Sequence, residues 1–114
     1  MVVKLPDNVW QVIKDYYQIT DDLRDVVEEK AEAYLFDGGA FLSVGNEIDL
    51  FVIPEKRGHW RMRTEITKYL DVMGRRYGKI VARINECNSP SLRLARHFGF
   101  HEVSRENGVV RLEK

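Results

Sequence analysis

The sequence predicts a mixed α/β domain: a mostly antiparallel sheet with one central parallel strand pair, flanked by helices. Three observations carry this. Residues 31–53 alternate with a period of two and are broken by Asp37-Gly38-Gly39 and Gly45-Asn46, so three strands follow one another through turns tight enough for an antiparallel meander. A helical repeat of about eighteen residues then separates the strand near 47–53 from an apolar strand near 80–85. Such a strand-helix-strand step requires a parallel pair joined by a right-handed crossover. Last, Asn107-Gly108 sits inside "HEVSRENGVVRLEK", the pattern of a closing hairpin.

Taken in order, "MVVKLP" is a short β-prone run closed by Pro6. Asp7 stands as the N-cap of a helix whose Val9, Trp10, Ile13, Tyr16 and Tyr17 share one face. Thr20, Asp21 and Asp22 open a second helix, with Leu23, Val26 and Val27 as its apolar stripe and acids in its first turn. Strands are expected at 31–36, 40–44 and 47–53. In the long helix, near 59–77, Met62, Ile66, Tyr69, Leu70, Met73 and Tyr77 recur at spacings of three and four, and Gly78 supplies its stop. "KIVARIN" reads as a buried strand and "NSPSLRLARHFGF" as a short helix ahead of the hairpin. The order is β-α-α-β-β-β-α-β-α-β-β. With no repeat, low-complexity tract or linker, residues 1–114 are expected to form one domain.

Composition narrows the function classes. Of 114 residues, 44% are apolar and 32% charged, an ordinary globular balance. Eighteen basic and eighteen acidic side chains cancel. This argues against a dedicated nucleic-acid or anionic-membrane binder. No apolar run approaches membrane-spanning length, and the N-terminus lacks the basic-then-apolar layout of a signal peptide. Cys87 is the single cysteine, so a reducing, cytoplasmic compartment is expected. His59, His97 and His101 show no ligand spacing with it, and no metal is expected.

In sheets of this kind ligands sit at the carboxyl ends of parallel strands, and two motifs fall there. One is "VIPEKRG" at 52–58; the other is "NSPSLRLARHFGF" at 88–100. Together with the element order they resemble the GCN5-related N-acetyltransferase (GNAT) superfamily. Its strand before the long helix ends in a similar Val-x-Pro-Glu-x-Arg-Gly run. Its later helix follows an Asn-x-x-Ala-x-x-Leu-Tyr-x-x-x-Gly-Phe pattern, matched here by Asn88, Ser91, Leu94, Gly99 and Phe100.

The resemblance implies an N-acetyltransferase with acetyl-coenzyme A lying between the splayed parallel strands and a primary amine, on a small molecule or a peptide, as acceptor. It implies that the Val52 backbone N–H meets the thioester carbonyl, where an oriented donor stabilises developing charge. Glu47 or Asp49 is the candidate base, acting on the amine through a water. The pyrophosphate would lie at the start of the long helix, a natural anion site, against Arg57, Gly58, His59, Trp60, Arg61 and Met62, with Asn88 as a further donor contact.

Two departures bear on activity. Where the family's phosphate loop reads Q/R-x-x-G-x-G/A, this chain has "RGHWRM" at 57–62. Arg57 matches, but Trp60 and Met62 replace small residues that let phosphates approach the backbone. Met62 also fits the apolar face of the helix, while Trp60 lies off it, as a surface wedge or a lid over the cleft. The Arg57, His59, Arg61 and Arg63 cluster either holds phosphate or forms a solvated basic face. The second departure is Ala95, in the place of the tyrosine that protonates the leaving thiolate. Its loss implies weak transfer, with the short helix kept as structure: Asn88 caps it while Leu94, Phe98 and Phe100 pack. Arg75, Arg76, Arg93 and Arg96 read as surface charges and Cys87 as an inert thiol. Trp10, Tyr16 and Tyr17 read as core aromatics in the region where the family builds its acceptor site. Short chains with an altered phosphate loop and a similar Asn-x-x-Ser-x-x-Leu helix resemble proteins encoded by tailed bacteriophages. The alternative expectation is therefore a non-catalytic virion or head-assembly module with a protein partner.

Overall fold

The computed structural model describes residues 3–57 and 62–114. Among the described residues, four α-helices and six strands follow in the order α1 (Asp7–Tyr17), α2 (Arg24–Lys30), β1 (Glu32–Phe36), β2 (Gly39–Val44), β3 (Glu47–Val52), α3 (Met62–Tyr77), β4 (Val81–Asn85), α4 (Ser89–His97), β5 (His101–Glu106) and β6 (Val109–Glu113). Short 3₁₀ turns at Asp21–Leu23 and Pro54–Lys56 precede α2 and α3. The strands form one mixed sheet in the order β1-β2-β3-β4-β6-β5. Its parallel step is β3 with β4, joining Glu47 to Val81 and Ile48 to Ala82. β1 with β2 and β5 with β6 are antiparallel, as the short turns that join them require, and β4 with β6 is antiparallel too. Among the described residues no helix is long and apolar enough to cross a membrane.

The chain divides into two compact units, Met1–Val44 with Asp49–Glu65, and Gly45–Ile48 with Ile66–Lys114. In the first, Leu5, Val9, Trp10, Ile13, Ala40, Leu42 and Phe51 form a buried cluster. Its α1 differs from expectation at the start. Pro6, not Asp7, is the N-cap, with φ −61° and ψ 148°. Proline's locked φ suits that extended position, and the cap needs only its carbonyl, which accepts the Trp10 N–H at 2.8 Å. Asp7 then occupies the first turn, where its charge suits the helix dipole, and pairs with Arg24 at 2.8 Å.

A second difference is the expected opening strand. Val3 to Pro6 form no strand. The buried Leu5 instead places its N–H on Glu28 Oε2 at 2.6 Å and its carbonyl under Arg24 Nη2. Two side chains of α2 thus do for Leu5 what a ladder would have done. This rotates α2 away from the expected stripe. Leu23 and Val26 are exposed, Val27 packs against the cluster, and the buried side chain of the helix is Glu28.

In the second unit α3 buries Ile66, Tyr69, Leu70 and Met73, whereas Tyr77 at its end is exposed. On the paired strands Ala82 faces Leu112 and Ile84 faces Val110, an apolar face matched by Arg83 opposite Arg111 on the other side. The closing hairpin turns at Asn107 (φ 53°) and Gly108 (φ 77°), consecutive left-handed residues that match the twist of two-residue hairpins.

Candidate functional site

β3 is the element on which most of the candidates stand. Its alternation puts Glu47, Asp49 and Phe51 on one face and Ile48, Leu50 and Val52 on the other. The two candidate bases have different surroundings. Glu47 lies in the second unit, where its Oε1 pairs with Arg83 Nε at 3.2 Å. Asp49 lies in the first unit, and its Oδ2 accepts the Tyr17 hydroxyl at 2.5 Å.

Tyr17 reaches Asp49 because of how α1 ends. Gln18 adopts the left-handed conformation (φ 55°, ψ 47°), and its N–H returns to the Lys14 carbonyl, closing the helix directly after Tyr17. The Tyr16 and Tyr17 rings meet edge to face at 5.0 Å, and both lie against buried Phe51, at 5.6 and 5.7 Å. The spacing of these tyrosines along the helix predicts core residues. They are 47% and 43% exposed, so the rings cover Phe51 while remaining open to solvent. Burial of its ring, and then the negative charge of Asp49, hold the Tyr16 hydroxyl above the ordinary tyrosine range. The sequence signal was present: the last turn of an otherwise apolar stripe carries two hydroxyl-bearing rings rather than Leu or Ile.

At the carboxyl end of β3, Arg57 Nε donates to the Val52 carbonyl at 3.1 Å, which brings together two of the expected donor-site residues. Pro54 starts the intervening 3₁₀ turn, preceded by Ile53 in the extended conformation that a following proline imposes (φ −64°, ψ 147°). The Ile53 N–H is held by the Gly38 carbonyl at 2.8 Å, so the chain after β3 is tied to the β1–β2 turn. Gly58, His59, Trp60 and Arg61 lie outside the described residues. Met62 begins α3 and is half-buried. What is described fits a phosphate-bearing donor: Arg57 is exposed, and with Nε engaged on Val52 its fork still has four N–H groups on two Nη nitrogens.

In the second unit Asn88 caps α4, its Oδ1 accepting the Ser91 N–H at 3.3 Å. Leu92 and Phe100 are buried, and Leu94 and Phe98 half-buried. Ala95 is half-buried too; its carbonyl accepts the N–H groups of Phe98 and Phe100 at 3.1 and 3.0 Å, closing the helix. Cys87 is exposed. Among the described residues no group of three or more His, Cys, Asp or Glu stands ready to hold a metal ion.

No model of a protein family matches the sequence, and no curated protein does. Solved structures do match. A chimera of the Vibrio cholerae spermidine N-acetyltransferase SpeG with hSSAT superposes with a TM-score of 0.71 at 18% identity, over 93% of this chain and 85% of that one. A Bacillus subtilis acetyltransferase in complex with CoA gives 0.70 at 14% identity, over 97% and 93%. A GNAT family acetyltransferase from Elizabethkingia anophelis with acetyl-CoA bound gives 0.66 at 15% identity, over 97% and 90%. At these identities the likeness is one of architecture, and the architecture of this chain is the GNAT fold.

Proposed function

We propose that this chain is a GNAT-type N-acetyltransferase that moves an acetyl group from acetyl-coenzyme A to a primary amine, slowly. The observation that carries the reading is Asp49, a β3 carboxylate held by a tyrosine hydroxyl at 2.5 Å, three residues before Val52 and on the strand that leads to Arg57. Acetyl-coenzyme A supplies an acetyl group activated as a thioester. The chain's own residues supply the rest. The Val52 N–H stabilises charge on the carbonyl oxygen. Asp49 takes the amine proton through a water as the new N–C bond forms and the C–S bond breaks. Arg57 and the segment from Gly58 to Met62 take the phosphates. With Ala95 in place of a proton donor, the thiolate leaves unassisted, which sets the slow rate. Solved neighbours with CoA or acetyl-CoA bound support this choice of donor. The reading places the protein in the cytoplasm.

A second reading is favoured by Ala95. Its carbonyl serves the helix end and its methyl group carries no chemistry, so α4 has a structural use without a catalytic one. On this reading the chain is a non-catalytic binding or assembly module, such as a phage virion or head protein, with a protein partner. Calorimetric titration with acetyl-coenzyme A, followed by thioester consumption with polyamines, aminoglycosides and peptide N-termini, separates the two. Ala95→Tyr sharpens the comparison. A slow enzyme should gain turnover, by up to about 10²–10⁴-fold for a well-placed acid, whereas a module should show background rates in wild type and variant alike.

A further inference from the structure

We propose that Tyr17 is a positioning residue for Asp49, holding one carboxylate oxygen and so fixing the orientation of the group that takes the amine proton through a water; this rests on the acetyl-transfer reading. The two residues lie 32 positions apart in sequence, and the hydroxyl donates to Oδ2 at 2.5 Å. The tyrosine's neighbours among the described residues guide where that hydroxyl goes. Its helix closes immediately behind it through the left-handed Gln18. Its ring is set against Tyr16 at 5.0 Å and against Phe51 at 5.7 Å, and Phe51 is itself buried two residues beyond Asp49 on the same strand face. An aspartate has two side-chain torsions to order, and the second is broad and two-fold. A hydrogen bond to one oxygen narrows that torsion and so fixes the plane of the carboxylate. The carboxylate is then already oriented when the amine and its relaying water arrive, which is the form in which positioning contributes to rate.

This arrangement is distinct from the acid that the GNAT pattern places on the later helix. That acid would act on the leaving group, and its place here is Ala95. Tyr17 acts on the other side of the reaction, through the base, and its hydroxyl proton stays where it is.

The test is a double-mutant cycle on the full chain, measuring kcat and KM for a transferable amine with acetyl-coenzyme A as donor. Tyr17→Phe keeps the ring against Tyr16 and Phe51 and removes only the hydroxyl. It should lower kcat about tenfold, the scale of one well-made hydrogen bond, with KM for the amine within about twofold. Asp49→Asn should lower kcat by about 10²–10⁴-fold, and adding Tyr17→Phe to it should change nothing further, since Tyr17 acts only through the carboxylate. The ¹³C signal of the Asp49 carboxyl should move in Tyr17→Phe. It should stay put in Tyr34→Phe, which removes a different tyrosine–carboxylate contact, to Glu65 at 3.3 Å. A wild-type rate in Tyr17→Phe, or a tenfold loss repeated in the Asp49→Asn background, overturns the positioning role and leaves acetyl transfer standing. Absence of turnover in wild type with every amine overturns the acetyl-transfer reading, and the role with it.

Discussion

Replacing Glu28 with alanine should destabilise the fold by about 2–3 kcal/mol, a large effect for one surface-helix residue. Glu28 is only 6% exposed, and its Oε2 accepts the backbone N–H of Leu5, itself 2% exposed, at 2.6 Å. Removing the carboxylate leaves that N–H buried without its acceptor, which costs about 1–3 kcal/mol. The ion pair adds less: Arg24 Nε stands 3.7 Å from the same oxygen, and its side chain is 30% exposed and can rehydrate. Loss of the side-chain methylenes from a buried position brings the total to the upper part of the range. A chain of this size loses about 1–1.5 kcal/mol per molar urea, so the unfolding midpoint should fall by about 2 M. Glu28→Gln keeps an acceptor oxygen in place and should cost about 1 kcal/mol or less. Urea titrations followed by circular dichroism measure both. A change within 0.5 kcal/mol for the alanine variant would refute the view that Leu5 depends on this side chain. So would a glutamine variant as damaging as alanine, since charge rather than the accepted hydrogen bond would then matter.

Three further outcomes are expected. Gly39→Ala places a Cβ 2.5 Å from the Phe51 carbonyl oxygen and 2.7 Å from the Phe36 ring, so β2 must shift and stability should fall by about 1–3 kcal/mol; an unchanged Tm would count against this packing. Lys14 and then Trp10 hold Asp21 below the usual carboxylate range, and Arg105 does so for Glu102 and Lys79 for Glu113. Their folded pKa values are lowered, so their stabilisation is complete above the ordinary carboxylate value of about 4 and is lost as pH falls through the folded values. Tm measured from pH 6 down to pH 2 should therefore fall more steeply for wild type than for the triple variant Asp21→Asn, Glu102→Gln, Glu113→Gln. If the chain binds coenzyme A as proposed, Arg57→Ala should weaken that binding by about 1–3 kcal/mol in calorimetry, as for a charge-assisted contact to phosphate; wild-type affinity in the variant would remove Arg57 from the proposed donor site.

Periodicity made the meander, the long helix, the parallel step and the final hairpin legible, because each rests on a local rule. Two consecutive left-handed residues at Asn107-Gly108, for instance, leave the chain little choice but to turn back. What escaped was decided by partners distant in sequence. "MVVKLP" has β propensity, yet the Leu5 backbone is served by Glu28, 23 residues on, and by Arg24. No pattern in the α2 sequence marks a glutamate as its buried member, since a charge reads as solvent-facing until its backbone partner is known. In the site, the sequence offered Glu47 and Asp49 as equals, being two residues apart on one strand. Arg83 and Tyr17, which give them different surroundings, belong to other elements.

The apolar stripe of α1 serves two purposes in succession. Val9, Trp10 and Ile13 lie in the buried cluster, and Tyr16 and Tyr17 follow at three and four residues beyond Ile13, on the same face. Over its first two turns the face needs only apolar volume. In the last turn it leaves the cluster, and rings with a polar tip suit that edge: the ring continues the apolar contact onto Phe51 while the hydroxyl reaches past it to Asp49. Helix position is further fixed by Trp10 Nε1 and Lys14 Nζ, which meet one oxygen of Asp21 at 2.9 and 2.7 Å. A change that lets α1 slide or rotate would therefore move the Tyr17 hydroxyl and open the cluster together. Truncating Tyr17 to alanine confounds the two effects, because it strips Phe51 of cover as well as Asp49 of its donor. Removing the hydroxyl alone keeps the helix seated, and any loss of turnover then belongs to the carboxylate it holds.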